Sequence, residues 1–344
     1  MNAAGYRMGI DLGGTKVEAV LLDGDGTVLH RRRIPTPRMN DNPESEYEGI
    51  VGAVVELIEH AGRQLPPATS CTIGVGIPGT MNPETGVVQN ANTTCLIGRP
   101  FRQELESRLG RPIGMENDAN CFTLAEALQG AGQGYGMVFG VIMGTGCGGG
   151  LCIDGRIHRG RHRIAGEWGH FSVDPAGDSC YCGNPGCVET KISGGGVEKN
   201  YQARFGRRLT MEEITRGYHS GDTACKIVFD QFIEDFGRCL GGLISILDPD
   251  AVVLGGGLSN LEELYTLGMA RTRHYAFHER IQTPVLKKKL GDSAGVFGVS
   301  RTSPSGVKCL RSLTVKRLLL SLIRSQASPC STSEEDPLPA AGRW

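Results

Sequence analysis

Cys180, Cys182 and Cys187 fall within eight residues, and His170 lies ten residues before the first of them. Thiolate and imidazole are ligands zinc prefers, and four protein ligands close a tetrahedral structural site. Gly183, Pro185 and Gly186 supply the turns such a wrap needs. A disulfide would need an oxidising compartment, and redox thiols favour C-x-x-C spacing. The pattern therefore favours zinc held by His170, Cys180, Cys182 and Cys187. Glu167 and Glu189 lie within three residues of a ligand. A metal would fix both carboxylates where they can accept hydrogen bonds from hydroxyl groups. The alternative is a pair of surface acids on a loop.

Phosphate chemistry has its own signature. Asp11-Leu12-Gly13-Gly14-Thr15-Lys16 lies between two strand-like runs. Its glycines let backbone N–H groups face an anion, the Thr adds a donor, and Asp11 is placed to hold Mg²⁺ through water. A simple hairpin turn of type I′ is the alternative. Because strand follows it, this is neither a Walker loop nor a dinucleotide fingerprint. Gly144-Thr145-Gly146-Cys147-Gly148-Gly149-Gly150 repeats the logic after the apolar run Met137 to Met143. Two such loops in matching positions form a clamp around a triphosphate. Gly255-Gly256-Gly257 follows a third apolar run and opens a helix, which suits the ribose, adenine or α-phosphate of a nucleotide. A close strand-to-helix turn explains it equally well. In Glu116-Asn117-Asp118-Ala119-Asn120, at a strand end entering a helix, a carboxylate can take the proton of an attacking hydroxyl. Asn and Asp are also the usual N-cap residues.

The elements that must carry these groups alternate. Strands are expected at Arg7 to Asp11, Lys16 to Leu22, Val28 to Ile34, Cys71 to Ile77, Ile113 to Met115, Met137 to Met143, Leu151 to Asp154 and Ala251 to Leu254. Helices are expected at Glu44 to Ala61, Phe101 to Leu109, Asp118 to Gln129, Gly195 to Phe205, Met211 to Tyr218, Asp222 to Leu247 and Asn260 to Arg273, with a long loop over Met81 to Pro100. This alternation is α/β. The glycine-turned hairpin opens both halves, which suggests a duplicated fold.

With 51 glycines in 344 residues and no period, the glycine clusters point to backbone approaching a ligand rather than to a fibrous repeat. The net charge of −1 offers no field for nucleic acid or an anionic membrane, so neither is expected as a partner. No run reaches the roughly 18 apolar residues of a membrane span. Met1 to Gly9 lacks a signal-like apolar core, so a cytoplasmic location with reduced thiols is expected.

Together, Asp11 to Lys16, Asn117-Asp118, Gly144-Thr145-Gly146, Glu167-Trp168-Gly169-His170 and the Cys180/Cys182/Cys187 cluster resemble the ROK family of bacterial sugar kinases and sugar-responsive repressors, over about residues 7 to 298. Gly86 to Thr93 and Ala165 to His170 look most like its fructokinase branch, of mannokinase type.

The resemblance implies an actin-like ATPase fold, ribonuclease H-like and duplicated, with two lobes around a cleft. The lobes would be 1–117 and 118–298. The expected reaction is transfer from ATP to D-fructose, giving fructose 6-phosphate, with glucose, mannose or N-acetylglucosamine as alternative sugars. Asp118 would be the general base. Asn92, Asn117, Glu167, His170 and Glu189 would hold the hexose, and Asp11 would serve Mg²⁺. Gly13, Gly14, Thr15, Lys16, Gly144, Thr145, Gly146, Gly148, Gly255, Gly256 and Gly257 would hold the nucleotide. A homodimer is implied. A repressor would need a DNA-binding segment ahead of the first strand, which the few residues before Gly9 do not supply.

The chain leaves the family pattern after Gly291-Asp292-Ser293-Ala294-Gly295-Val296-Phe297-Gly298. Where relatives continue Ala-Ala into a short closing helix, it reads Val299-Ser300-Arg301-Thr302. Residues 299–344 are Ser-rich, with Leu313 to Ile323 able to form a cationic amphipathic helix, and the expectation is a disordered, replaced C-terminus.

Overall fold

Apolar runs separated by tight turns leave the chain no length for a crossover, so its first three strands pair as successive hairpins. In the computed structural model these are β1 (Tyr6–Leu12), β2 (Lys16–Leu22) and β3 (Val28–Pro35), with Asp11 opposite Glu18. The structure describes residues 5–39, 42–67, 69–290 and 294–300. The chain divides into two units, 1–306 and 307–344, and only the first holds described residues. The second unit, the possible helix Leu313 to Ile323, the tail beyond residue 300 and motif residues 291–293 all lie outside the described residues.

Helix α1 (Pro43–Gly62) begins where Asn42 accepts from the N–H groups of Glu44 and Ser45. Its Ile50, Val51, Val54, Leu57, Ile58 and Ala61 stripe is buried on the sheet. Each of its Val, Leu and Ile side chains contributes roughly 1.5–3 kcal/mol. β4 (Cys71–Ile77) then lies parallel to β1. The small hairpin β5 (Thr80–Met81) and β6 (Val88–Gln89) follows, then α2 (Phe101–Leu109) and β7 (Gly114–Asn117), which is parallel to β4.

After α3 (Asp118–Gln129) the pattern repeats. β8 (Met137–Met143), β9 (Cys147–Ile153) and β10 (Arg156–Ile157) form antiparallel hairpins. Four helices intervene: α4 (Val188–Ile192), α5 (Gly194–Phe205), α6 (Met211–Ser220) and α7 (Thr223–Leu247). β11 (Ala251–Gly255), helix α8 (Met269–Tyr275) and β12 (Val285–Lys287) follow, with β11 parallel to β8 and to β12. The sheet orders are β3-β2-β1-β4-β7 and β10-β9-β8-β11-β12. These are one topology written twice, which establishes the duplicated actin-like α/β architecture.

The last described helix, α9 (Ala294–Val299), returns to the first sheet. Val296 and Val299 are fully buried, and only glycine fits beneath them. A Cβ on Gly9 would overlap the Val296 carbonyl oxygen, and one on Gly74 the Val299 carbonyl oxygen. So 294–299 is helical and seated, and Val299 and Ser300, the first residues of the expected disordered tail, are buried because the helix packs on the bare backbone of the first sheet.

Three readings change. The glycine run after Met143 is only half turn: β9 begins at Cys147, so Gly148, Gly149 and Gly150 are strand residues paired with Ile142, Val141 and Gly140. The expected strand at Leu151 to Asp154 is that strand's end. Neither Gly13 nor Gly14 adopts positive φ, which rules out a type I′ turn there. Gly255-Gly256-Gly257 leads into a 3-10 turn, Gly257–Asn260, and a π-helical segment, Leu264–Gly268, precedes α8. Among the described residues no helix is long and apolar enough to cross a membrane.

Candidate active site

Asp118 stands at the first position of α3, directly after β7, where a parallel strand delivers the chain to the cleft edge. Asn117 is the N-cap: its Oδ1 accepts from the Asn120 N–H at 3.0 Å, and its Nδ2 donates to the Gly79 carbonyl at 3.0 Å. Both alternatives for this segment therefore coexist, a cap beside a cleft carboxylate. Asp118 Oδ1 accepts from the Ala119 N–H at 2.8 Å. Burial pushes the Asp118 carboxyl up to about 6, against the lowering effect of hydrogen bonds from Ala119, its own amide and Asn117. Behind it, buried Glu116 accepts from the Asn120 amide at 3.0 Å and from Arg159 Nε at 2.6 Å. Arg159 belongs to the loop that leads to Glu167.

That loop reaches β9 through glycine. Gly166 has φ +95°, and a Cβ there would sit 2.8 Å from the Gly149 oxygen and the Gly150 Cα. Only bare backbone on both sides allows the approach. It seats Glu167 in the cleft. Burial, then the charges of Asp118 and Glu189, push the Glu167 carboxyl up to about 7. The 3-10 turn Trp168–His170 follows. His170 Nδ1 lies 3.6 Å from Cys180 Sγ, while Nε2 lies 3.0 Å from Tyr181 Oη.

The four expected metal ligands come together: one donor atom each from His170, Cys180, Cys182 and Cys187 lies within 4.8 Å of the others. Cys182 and Cys187 Sγ are 3.6 Å apart. Zn–S bonds of about 2.3 Å give a tetrahedron with edges of about 3.8 Å, so the donor set and its spacing fit zinc. Glu189 opens the next helix, and its Oε2 accepts from the Cys147 N–H at 3.0 Å. A Cβ on Gly146 would stand 2.7 Å from that oxygen, so a larger residue there would have to displace the carboxylate.

Asp11 closes the arrangement from the first sheet. Burial, then the charges of Asp118 and Glu18, push it up to about 7, while Lys16 and Arg33 pull the other way. Converging negative charge of this kind suits a divalent cation. The Gly13-Gly14 turn is braced from behind: Thr36 Oγ1 donates to the Gly13 carbonyl at 2.7 Å and Arg38 Nε to the Gly14 carbonyl at 3.1 Å.

One cavity of about 270 Å³ gathers the expected base and all the expected sugar residues with part of one glycine loop: Asn92, Asn117, Asp118, Gly144, Thr145, Gly146, Gly148, Glu167, His170 and Glu189. An adjoining cavity of about 600 Å³ shares Gly144 and Thr145 and includes Gly257. Its other walls, among them Gly194, Gly195, Glu198, Met211, Arg216 and Leu261, carried no sequence signal beyond the glycine pair. Asn90, Gly79 and Tyr181 were likewise not foreseen on the first cavity. Asp11, Gly13, Gly14, Thr15, Lys16, Gly255 and Gly256 line neither. Gly255 and Gly256 answer to packing, since a Cβ would overlap the Phe122 ring and the Met143 carbonyl oxygen respectively.

A duplicated α/β fold with a carboxylate-lined cleft beside a larger cavity, both sharing one glycine turn, is that of the actin-like ATPase class. The chain belongs to the ROK family, whose model matches residues 7–303. It is 36% identical to an N-acetyl-D-glucosamine kinase of Pectobacterium atrosepticum over 302 residues, 85% of this chain and 97% of that protein. The N-acetyl-D-glucosamine kinase of Pasteurella multocida is 36% identical over 306 residues, 86% of this chain and 98% of that protein. Among solved structures, the ROK hexokinase of Thermus thermophilus matches with a TM-score of 0.77 and 32% identity, over 88% of this chain and 99% of that one. The ROK glucokinase of Streptomyces griseus, solved with glucose and AMPPNP, matches at 0.72 and 29%, over 88% and 100%. Fructose does not appear in these names.

Proposed function

We propose that this protein transfers the γ-phosphoryl group of ATP to the 6-hydroxyl of a hexose, with N-acetylglucosamine as the first substrate to test and fructose as the second. The observation that carries the reaction type is the shared turn at Gly144 and Thr145, which lines both the small carboxylate-rich cavity and the larger one beside it. A sugar in the first and a nucleotide in the second meet at that turn. The curated relatives support N-acetylglucosamine; the stretches Gly86 to Thr93 and Ala165 to His170 support fructose.

Asp118 accepts the proton of the attacking hydroxyl, and its raised pKa of about 6 keeps it basic enough at neutral pH while still ionised. Asn92, Glu167, Glu189 and His170 hold the remaining hydroxyls, and Asn117 does so through the turn it caps. The Gly144-Thr145-Gly146 turn faces the phosphates, and Gly13-Gly14-Thr15 with Lys16, which line neither cavity, would meet them from the first sheet. Asp11 would hold Mg²⁺, which neutralises charge on the triphosphate. Zinc on His170, Cys180, Cys182 and Cys187 would supply rigidity. Catalysis is then positioning and electrostatics.

A homodimer is the assembly we propose; the apolar groove of Ile164, Phe171 and Ile246 supports it, and sedimentation velocity tests it. A coupled ADP-release assay over N-acetylglucosamine, fructose, glucose and mannose tests the function. Turnover of none of them overturns the kinase reading. Preference for fructose over N-acetylglucosamine overturns the choice of sugar alone.

A further inference from the structure

The carbonyl groups of the turn between β1 and β2 are all held from one side. The Gly13 carbonyl accepts from Thr36 Oγ1 at 2.7 Å. The Gly14 carbonyl accepts from Arg38 Nε at 3.1 Å and from Arg38 Nη2, and the Thr15 carbonyl from the Thr36 N–H at 3.0 Å. A trans peptide is planar and points its N–H opposite to its carbonyl. Three carbonyls drawn toward residues 36–38 therefore aim the amides of Gly14, Thr15 and Lys16 the other way. Among the described residues the Gly14 and Thr15 N–H groups have no hydrogen-bond partner. Two adjacent amides of this kind, followed by a lysine, suit phosphate oxygens.

Arg38 is the one long side chain among these braces, and a long side chain orders a turn only when it is itself held. Glu46 holds it. That residue stands in the first turn of α1, and its side chain is 12% exposed. Its Oε1 accepts from Arg38 Nη1 at 2.8 Å and lies 3.7 Å from Cys95 Sγ, while its Oε2 accepts from the Met39 N–H at 3.1 Å. The Met39 amide, then Arg38, outweigh burial and hold the Glu46 carboxyl below the usual carboxylate range. A guanidinium presents its donors in a rigid planar fork. With Nη1 fixed on the carboxylate, Nε and Nη2 fall together on the Gly14 oxygen.

We propose that Arg38, oriented by Glu46, is a positioning residue for phosphoryl transfer: it fixes the Gly14 peptide so that the Gly14 and Thr15 amides are already presented when the phosphates of ATP arrive. Arg38 acts through the turn, since its donors are directed at Glu46 and the Gly14 carbonyl. Without the brace the nucleotide would have to order the turn as it binds, which lowers affinity. The assignment rests on the ATP-dependent kinase reading and deepens it.

The test uses the full chain, with ATP as the probe and the hexose that the wild type turns over. Arg38→Met keeps an unbranched stem and removes the guanidinium; Glu46→Gln keeps the shape and removes the charge that orients it. ATP KM and kcat at saturating sugar, the calorimetric Kd of the sugar without nucleotide, and the melting temperature are measured. The expected result is a rise in ATP KM of about tenfold for Arg38→Met, the scale of one hydrogen bond to a charged group. Glu46→Gln should raise it at least about threefold, and the double variant no further than Arg38→Met alone, because the two act as a unit. The sugar Kd should not change. An unchanged ATP KM in Arg38→Met overturns the proposal. So does an unchanged or lowered ATP KM in Glu46→Gln, which would make Arg38 a direct phosphate ligand released from its partner. Losses confined to kcat and melting temperature assign the pair to the fold alone and also overturn it. Where Arg38→Met does not fold, Arg38→Lys carries the same test, because an ammonium on a flexible stem lacks the fork. Failure of the underlying reading looks different: the wild type then transfers phosphate to no hexose, whatever the variants do.

Discussion

The Glu189 carboxylate accepts a hydrogen bond from the Cys147 backbone N–H at 3.0 Å, tying the segment after the cysteine cluster to the first residue of β9. One carboxylate oxygen is thus spent on the glycine turn while the other remains for a ligand. The tie passes through the space beside Gly146, where a Cβ would lie 2.7 Å from Glu189 Oε2. Gly146→Ala should therefore push Glu189 aside. The expected outcome is a rise of roughly tenfold in the sugar KM with a smaller change in the ATP KM, read from steady-state kinetics on both substrates. A rise confined to the ATP KM would assign Gly146 to phosphate binding alone.

Asp118→Asn should lower kcat by at least about 100-fold, the scale of a lost general base. With the carboxyl held near 6, wild-type kcat/KM should fall about tenfold per pH unit below 6 and level off above about 7, because protonation removes the base. The sign for stability is opposite. A folded pKa raised above the ordinary value of 3.8 means the native state binds the proton more tightly than the unfolded chain. The benefit is full below about 3.8 and lost as pH rises through 6. Asp118→Asn should then raise the melting temperature by a few degrees at pH 8 and by less at pH 4, checked by calorimetry.

The buried Glu116 carboxylate joins Asn120 on α3 to Arg159 on the loop carrying Glu167. Removing one partner leaves the other charge poorly compensated. Because Arg159 is 38% exposed, the cost should be well below that of a fully buried pair. Glu116→Gln should cost about 1–2 kcal/mol in urea unfolding. A double-mutant cycle with Arg159→Met should show a coupling of at least about 0.5 kcal/mol; additive losses would mean the pair does not act as a unit.

Metal removal should be felt at the sugar before the nucleotide. Chelation frees His170, Cys180, Cys182 and Cys187, and with them the bases of Glu167 and Glu189. Stripped protein should bind the hexose at least about tenfold more weakly while its nucleotide affinity changes little, measured by calorimetry with each ligand alone. Sugar binding that survives full metal loss would reduce the cluster to a fold staple.

Much of this site is legible without coordinates because its chemistry is local. Cys180, Cys182 and Cys187 mark a candidate metal site within one short wrap, and Asn117-Asp118 declares a strand end meeting a helix. The glycine runs are less readable. Gly144 to Gly150 looks like one loop, yet Gly148, Gly149 and Gly150 are strand residues, and Gly149 and Gly150 are glycine because the Glu167 loop and α3 press against β9. Gly255 and Gly256 similarly answer to Phe122 and Met143 rather than to a ligand. Local pattern cannot separate glycine needed for an anion from glycine needed for a neighbouring chain segment, since both require an absent Cβ.

Residue type and spacing alone determined the alternating α/β order, the cysteine–histidine cluster, the carboxylate at the head of α3 and the repeated hairpin, because each is a property of neighbours along the chain. Tertiary structure decided the rest. It set which glycine turn both cavities share, brought Glu189 to the Cys147 amide across 42 residues and Arg159 to Glu116 across 43, and turned Tyr181 toward His170. Those contacts arise where two sheets of one topology close on a common cleft, and long-range closure of that kind leaves no period or spacing in the sequence from which to read it.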